Sequence, residues 1–303
     1  MRIAVTGSHG LIGSALVPFL RHRGHDVTPL VRRGEADGVW WDPASGALDT
    51  DRLDGTDAVI HLAGAGIGDR RWSAQRLDAV RRSRVEATAG LAAALAALPT
   101  RPRALISGSA VGYYGVRGDE ELDESSAPGT GFLADLCRDW EAATGAAEAA
   151  GVRVVHIRTG VILSAAGGAL RKQLPLFRAG LGGRIGPGTQ QLSWISRRDA
   201  VAALARLVED DQMAGPVNLV APEPATNARF TEVLARLLHR PAVLAVPTVA
   251  LRLAFGAGMT QELLLASQRA RPVRLDQAGY AWEDPDIEAG LQTALADIEP
   301  TGR

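Results

Sequence analysis

The 303-residue chain carries 33 Lys and Arg against 34 Asp and Glu, a formal charge of -1, so its bulk charge attracts neither nucleic acid nor an anionic membrane surface. With 46% hydrophobic and 22% charged residues it reads as a globular protein in one large domain or two unequal ones. Its one cysteine, Cys137, excludes an internal disulfide and a thiolate zinc cluster. No basic-then-apolar leader precedes the first strand and no apolar run is long enough to span a bilayer, so the expected location is the cytoplasm.

The chain opens on a strand, Ile3–Thr6, and passes straight into Thr6-Gly7-Ser8-His9-Gly10-Leu11-Ile12-Gly13. A glycine-rich turn between a first strand and a first helix is a place for a pyrophosphate. Gly7 permits the tight turn, Gly10 lets backbone approach the phosphates, and Gly13 lets helix and strand pack closely. Leu11 and Ile12 lie in the same turn, and the helix N-terminus adds unpaired N–H groups and partial positive charge. The predicted helix, Leu11–Arg23, contains Pro18, where a kink is expected. Gly24 closes it and Val27–Val31 forms a second strand, completing a βαβ unit.

That second strand ends in Arg32-Arg33 with no acid at its tip. An acid there would bind a ribose 2′-hydroxyl, whereas a guanidinium pairs with a 2′-phosphate. The expected cofactor is therefore NADP(H), with Arg32 as the phosphate ligand. The third strand, Ala58–Leu62, runs into Ala63-Gly64, small enough for a nucleotide to lie against backbone at Leu62, Ala63 and Gly64. His61, inside an apolar run, reads as a packed, hydrogen-bonded histidine. A long helix over 74–98 carries Arg84, whose readings are a ribose or phosphate ligand or a surface arginine. Strand Ala104–Ser107 leads to Ser109, a helix is expected over 132–150, and strand Val152–Ile157 ends in Arg158 on the ligand edge of the sheet. Asp119 to Glu124 reads as a solvated acidic loop.

Strands that are apolar throughout, alternating with helices, indicate a parallel sheet covered on both faces: a doubly wound α/β (Rossmann) fold. Beyond about residue 165 glycines crowd the sequence, and Trp194 with the 182–188 loop reads as a wall and lid or as loop packing. Helix Ala200–Glu209, strand Pro216–Val220 and a strand-poor last third follow. Residues 1–165 with about 189–221 form the expected nucleotide domain. About 166–188 and 222–303 form a smaller, mainly helical substrate lobe.

The glycine turn, His61-Leu62-Ala63-Gly64 and Ser107 to Gly115 together resemble the extended short-chain dehydrogenase/reductases. Gly129 to Ala134, Trp140-Glu141, Arg158 to Leu163, Gly180 to Gly183, Trp194-Ile195 and Gln268 to Pro272 resemble an atypical, sugar-nucleotide epimerase-like branch with its own C-terminal domain. The resemblance implies an NADP(H)-linked epimerase-like oxidoreductase acting on a small molecule, a nucleotide sugar among the candidates, and it admits a homodimer. It also implies that Ser109 and a tyrosine hold the reacting oxygen while a lysine four residues on lowers the phenol's pKa. That pair is missing. Residues four beyond Tyr113, Tyr114 and Tyr280 are Arg117, Gly118 and Asp284; the motif's own positions carry Leu133 and Cys137. Three readings stay open: proton transfer by Tyr113, Tyr114 or Asp135; hydride transfer to an unusual acceptor; or NADP(H) sensing without turnover.

Overall fold

A computed structural model describes residues 1–32 and 38–297. Seven strands form one parallel sheet: β1 Arg2–Thr6, β2 Asp26–Val31, β3 Val39–Trp40, β4 Ala58–His61, β5 Ala104–Ala110, β6 Arg153–Thr159 and β7 Gly215–Leu219. Their order across the sheet is β7-β6-β5-β4-β1-β2-β3. The chain winds outward one way from β1 to β3, then restarts at β4 on the other side of β1. The switch point therefore lies between β1 and β4, where a ligand crevice opens beyond the carboxyl ends of parallel strands.

Both faces of the sheet are buried, which explains the unbroken apolar runs. Ile3, Val5, Ile60, Ile106 and Ile157 face one core with Leu16 and Leu20 of α1 (Gly13–His22). Ala4, Val59, Leu105 and Val154 face the other with Leu91 and Leu95. The alternation is the period-2 geometry of a strand with apolar side chains on both sides. Pro18 sits inside α1 without ending it.

The two long helices expected from the sequence are each broken. The first becomes α2 (Ala74–Arg82) and α3 (Val85–Ala96). At the break the Ser83 hydroxyl donates to the Val80 carbonyl and accepts the Ala65 amide, and the Arg84 guanidinium donates to the Ala65 carbonyl. The second becomes α4 (Phe132–Ala142) and α5 (Gly145–Ala149). There the Thr144 hydroxyl hydrogen-bonds the Glu141 carbonyl and lies 2.9 Å from His156 Nε2. Long-range side-chain contacts override helix propensity at both breaks. The two-residue β3 also has no sequence signal.

A third core joins α6 (Gly168–Arg178), α8 (Asn227–Leu237) and the 287–296 helix around Trp194. Trp194 is fully buried and donates to the Glu223 carbonyl, so it is core and not a cleft wall. The C-terminal segment is held to α7 (Arg197–Glu209) by Asp199, which is wholly buried. Its Oδ1 accepts the Tyr280 hydroxyl and the Glu283 amide, each at 3.1 Å, and its Oδ2 accepts the Asp284 amide at 2.8 Å. In Asp199→Asn, an amide N–H₂ facing a backbone N–H would lose this grip. The expected cost is about 2–4 kcal/mol, read by urea unfolding; a change below about 0.5 kcal/mol would contradict the role.

Candidate cofactor and substrate site

The glycine turn lies at the switch point. Gly7 has φ +66°, and a Cβ there would stand 2.9 Å from the Leu62 carbonyl carbon, so conformation and close approach both demand glycine. A Cβ on Gly13 would run into the Gly7 carbonyl oxygen, and the Gly10 amide closes the turn on that same oxygen at 2.9 Å. No side chain caps α1 at Ile12; the Ser14 and Ala15 amides bond the Gly10 and Ile12 carbonyls, which leaves the Leu11, Ile12 and Gly13 amides for an anion. Ser8 adds a buried hydroxyl without a protein partner. Sequence reasoning passed over Ser8; the available signal was a hydroxyl between two loop glycines.

The facing loop, Leu62, Ala63 and Gly64, is tied to this turn through Thr6. The Thr6 oxygen accepts the Leu62 amide at 3.0 Å and the Ala63 amide at 3.1 Å. With both lone pairs used, its proton goes to His61 Nδ1, 2.7 Å away. His61 is therefore the neutral Nε2–H tautomer, and Nε2 donates to Thr88 at 3.0 Å. Trp140 Nε1 donates to the same Thr88 oxygen at 2.9 Å. Burial pushes the His61 imidazole down to about 4. His61 is thus the packed, hydrogen-bonded histidine the sequence suggested.

Arg84 projects from the helix break toward this loop. Its guanidinium lies 5.1 Å from the centre of the Trp140 ring, and a Cβ on Gly64 would stand 3.3 Å from Arg84 Cζ. Burial pushes it below its ordinary value. Arg32 lies exposed at the end of β2, and Arg33 falls outside the described residues.

Ser109, next to last in β5, is buried, but its proton points inward, to Glu141 Oε1 at 2.7 Å. Arg158 grips both Glu141 oxygens, each at 2.9 Å, from Nε and Nη2. Its Nη1 donates to the Tyr114 oxygen and to the Glu124 carbonyl, each at 3.2 Å. Four of five guanidinium N–H groups are thereby spent. The sequence reading had Arg158 facing the cofactor; the structure turns it to the carboxylate, because a buried guanidinium needs a partner. Burial opposes its charge, but Glu141 and Tyr114 more than offset that and hold Arg158 above its usual value.

Tyr114 is wholly buried, donates to Asn218 Oδ1 at 2.7 Å, and is pushed up to about 12 by burial. Tyr113 is half-buried, its ring centre 3.4 Å from Arg158 Cζ. Leu133 packs on Gly112, and Cys137 lies beside Ser109, pushed up to about 12 by burial, a packed thiol and not a nucleophile. Glu141 appeared in the sequence only as part of a family motif. Glu262 was missed altogether: its Oε2 accepts the Leu133 amide at 2.9 Å from 129 residues away, a separation no local pattern encodes.

The His61 junction predicts a pH dependence. A histidine depressed in the fold stabilises above its unfolded value, near 6.5, and that stability drains as pH falls toward about 4. The expected loss between pH 7 and 4 is about 3 kcal/mol from this group, measured by urea unfolding. His61→Gln should show a shallower pH slope, and an unchanged slope would refute the assignment.

Comparison with known proteins agrees with this architecture. Residues 3–220 match the NAD dependent epimerase/dehydratase family, and residues 246–294 match a domain of unknown function, DUF1731. Epimerase family protein Mb2239 of Mycobacterium bovis is 47% identical over 95% of this chain and 96% of its own. The crystal structure of human epimerase family protein SDR39U1 (isoform 2) with NADPH superposes with TM-score 0.88 at 35% identity, covering 97% of this chain and 99% of that one. MoeE5 in complex with UDP-glucose and NAD, at 22% identity and TM-score 0.77, shares the fold across 98% of both chains. Extended over nearly the whole length, these likenesses and the switch-point glycine turn make the chain a member of the NAD dependent epimerase/dehydratase family.

Proposed function

We propose that the chain binds NADP(H) at the β1–β4 switch point and exchanges hydride with a small-molecule substrate. The carrying observation is the cradle itself: a turn in which Gly7, Gly10 and Gly13 expose backbone, an uncapped α1 N-terminus, and the buried unpaired Ser8 hydroxyl. The 35%-identical human relative crystallised with NADPH supports the same cofactor. Leu11 and Ile12 cover the pyrophosphate turn, Leu62, Ala63 and Gly64 take the adenosine side, and Arg32 pairs with the 2′-phosphate. Residues 166–188 and 222–303 supply the substrate lobe.

The missing lysine left a cation to be found, and Arg84 fits that need. It stands against Gly64 and the Trp140 ring, about one helical turn along α4 from Cys137, the residue at the lysine position. We assign it the nicotinamide-side ribose, where its remaining N–H groups reach hydroxyls. Bound nicotinamide would supply or accept the hydride. The protein's part is to hold the substrate oxygen, and Ser109 with Tyr113 are the groups we assign to it. Because the Ser109 proton is given to Glu141, its oxygen is set to accept from a substrate hydroxyl. The Arg158 fork fixes Glu141 for that purpose. Tyr114 is enclosed and positions Arg158 and Asn218.

Arg32→Ala should weaken NADPH roughly 10- to 100-fold while changing NADH little, measured by fluorescence titration; equal losses would remove the 2′-phosphate assignment. Ser109→Ala should leave NADPH affinity within about twofold and lower kcat by roughly 100-fold or more, once a turnover assay on a carbonyl panel is in hand. Wild-type protein that holds NADPH yet turns over no carbonyl or sugar nucleotide would favour cofactor sensing without catalysis, a reading consistent with the inward-facing Ser109 proton.

A further inference from the structure

The roof of the cleft carries information about the substrate. The loop 64–72 leaves the switch point after β4, and Trp72 Nε1 fixes it by donating to the Ile67 carbonyl at 3.0 Å. The Trp72 ring packs edge-on to Phe132, 5.6 Å between centres, at the start of α4. Gly258 lies against the same indole, and Gly68 faces Leu263 and Met259, so residues 257–265 close down on this loop. Leu133 continues the wall onto Gly112, next to Tyr113. Trp72, Phe132, Leu133, Leu263 and Tyr113 are each half-buried.

A carboxylate is set into this apolar wall. Glu262 stands over Gly131, 3.0 Å from where a Cβ would be, at φ +106°. One oxygen caps α4 through the Leu133 amide, and Oε1 remains for a ligand. Two neighbouring cations are already engaged. Lys172 reaches Asp69 and the Gly68 carbonyl, each at 3.0 Å, and Arg76 donates to the Gly66 carbonyl. A diphosphate brought against this wall would meet the Glu262 carboxylate and aromatic carbon, with the Arg71 guanidinium standing to one side against Gly256.

Resting on the cofactor reading above, we infer that the substrate is a carbonyl compound, or its alcohol, with an arene-sized apolar body and a hydrogen-bond donor beside the reacting carbon, and not a nucleoside diphosphate sugar. Trp72, Phe132, Leu133 and Leu263 take the body, and Glu262 takes the donor. In the reducing direction bound NADPH would supply the hydride to the carbonyl carbon, the C=O π pair would become the O–H bond with a proton taken from solvent, and NADP⁺ would remain.

The test uses protein saturated with NADP⁺, so that added ketones bind without turning over. Calorimetry then compares 2-hydroxyacetophenone, acetophenone and UDP-glucose. Both ketones should saturate the protein, the hydroxyketone roughly tenfold tighter, with no saturable signal from UDP-glucose. Glu262→Gln should erase the difference between the ketones. Trp72→Ala should weaken both roughly tenfold. Both variants should bind NADP⁺ as the wild type does, which certifies their folding. If NADP⁺ itself fails to bind wild-type protein, it is the cofactor reading that falls. With NADP⁺ bound, absence of ketone binding, UDP-glucose binding as tight as the ketones, or ketone affinities unmoved by both substitutions each overturns the substrate class.

Discussion

One hydroxyl joins the two sides of the switch point. Thr6 accepts the Leu62 and Ala63 amides and passes its proton to His61, which hands its own to Thr88. The glycine turn after β1 and the small-residue loop after β4 are thereby held as one surface. Gly7 stands so close to the Leu62 backbone that no side chain fits between them. A nucleotide cradle needs two loops at a set separation, and here the separation is a hydrogen-bonded constant, not a matter of loop packing. Because the whole chain of donors is buried, each link is worth more than at the surface and costs more to break.

The second organising interaction is the Arg158–Glu141 fork. It is buried, bidentate and supported on one face by the Tyr113 ring. A desolvated pair of this kind adds little net stability, but losing one partner strands a charge. Its value is positional: Glu141 fixes the direction of the Ser109 proton, and Arg158 fixes Tyr114 and the Glu124 carbonyl. The chain thus surrounds its serine with an acid and a guanidinium, where the resembling enzymes use a phenol and an ammonium. Leu133 and Cys137, at those two positions, have become packing residues.

Much of the fold is written locally. Apolar strands such as Ala58–His61 and a glycine turn opening a helix are patterns of neighbouring residues, so β1, α1, β2, β4, β5 and β6 can be read with errors of one to three residues. The two broken helices cannot, because Arg84 and Thr144 stop them through contacts with Ala65 and His156 that lie outside the local pattern. From its glycine-rich surroundings Trp194 reads as a cleft wall or as loop packing. It is core because the 287–296 helix, nearly a hundred residues on, brings Gly290 onto its ring.

Sequence alone determined the glycine turn after β1 and the absence of any Tyr-x-x-x-Lys, since each depends only on residue type and spacing. Glycine spacing dictates where backbone can bend, and a residue type that is absent cannot be restored by folding. Tertiary structure decided which polar groups face the cleft. It turned Arg158 and Tyr114 inward, left the Ser8 hydroxyl unpaired, and carried Glu262 to the start of α4. Orientation and burial arise from strands and helices meeting across long sequence separations, and only the assembled crevice specifies them.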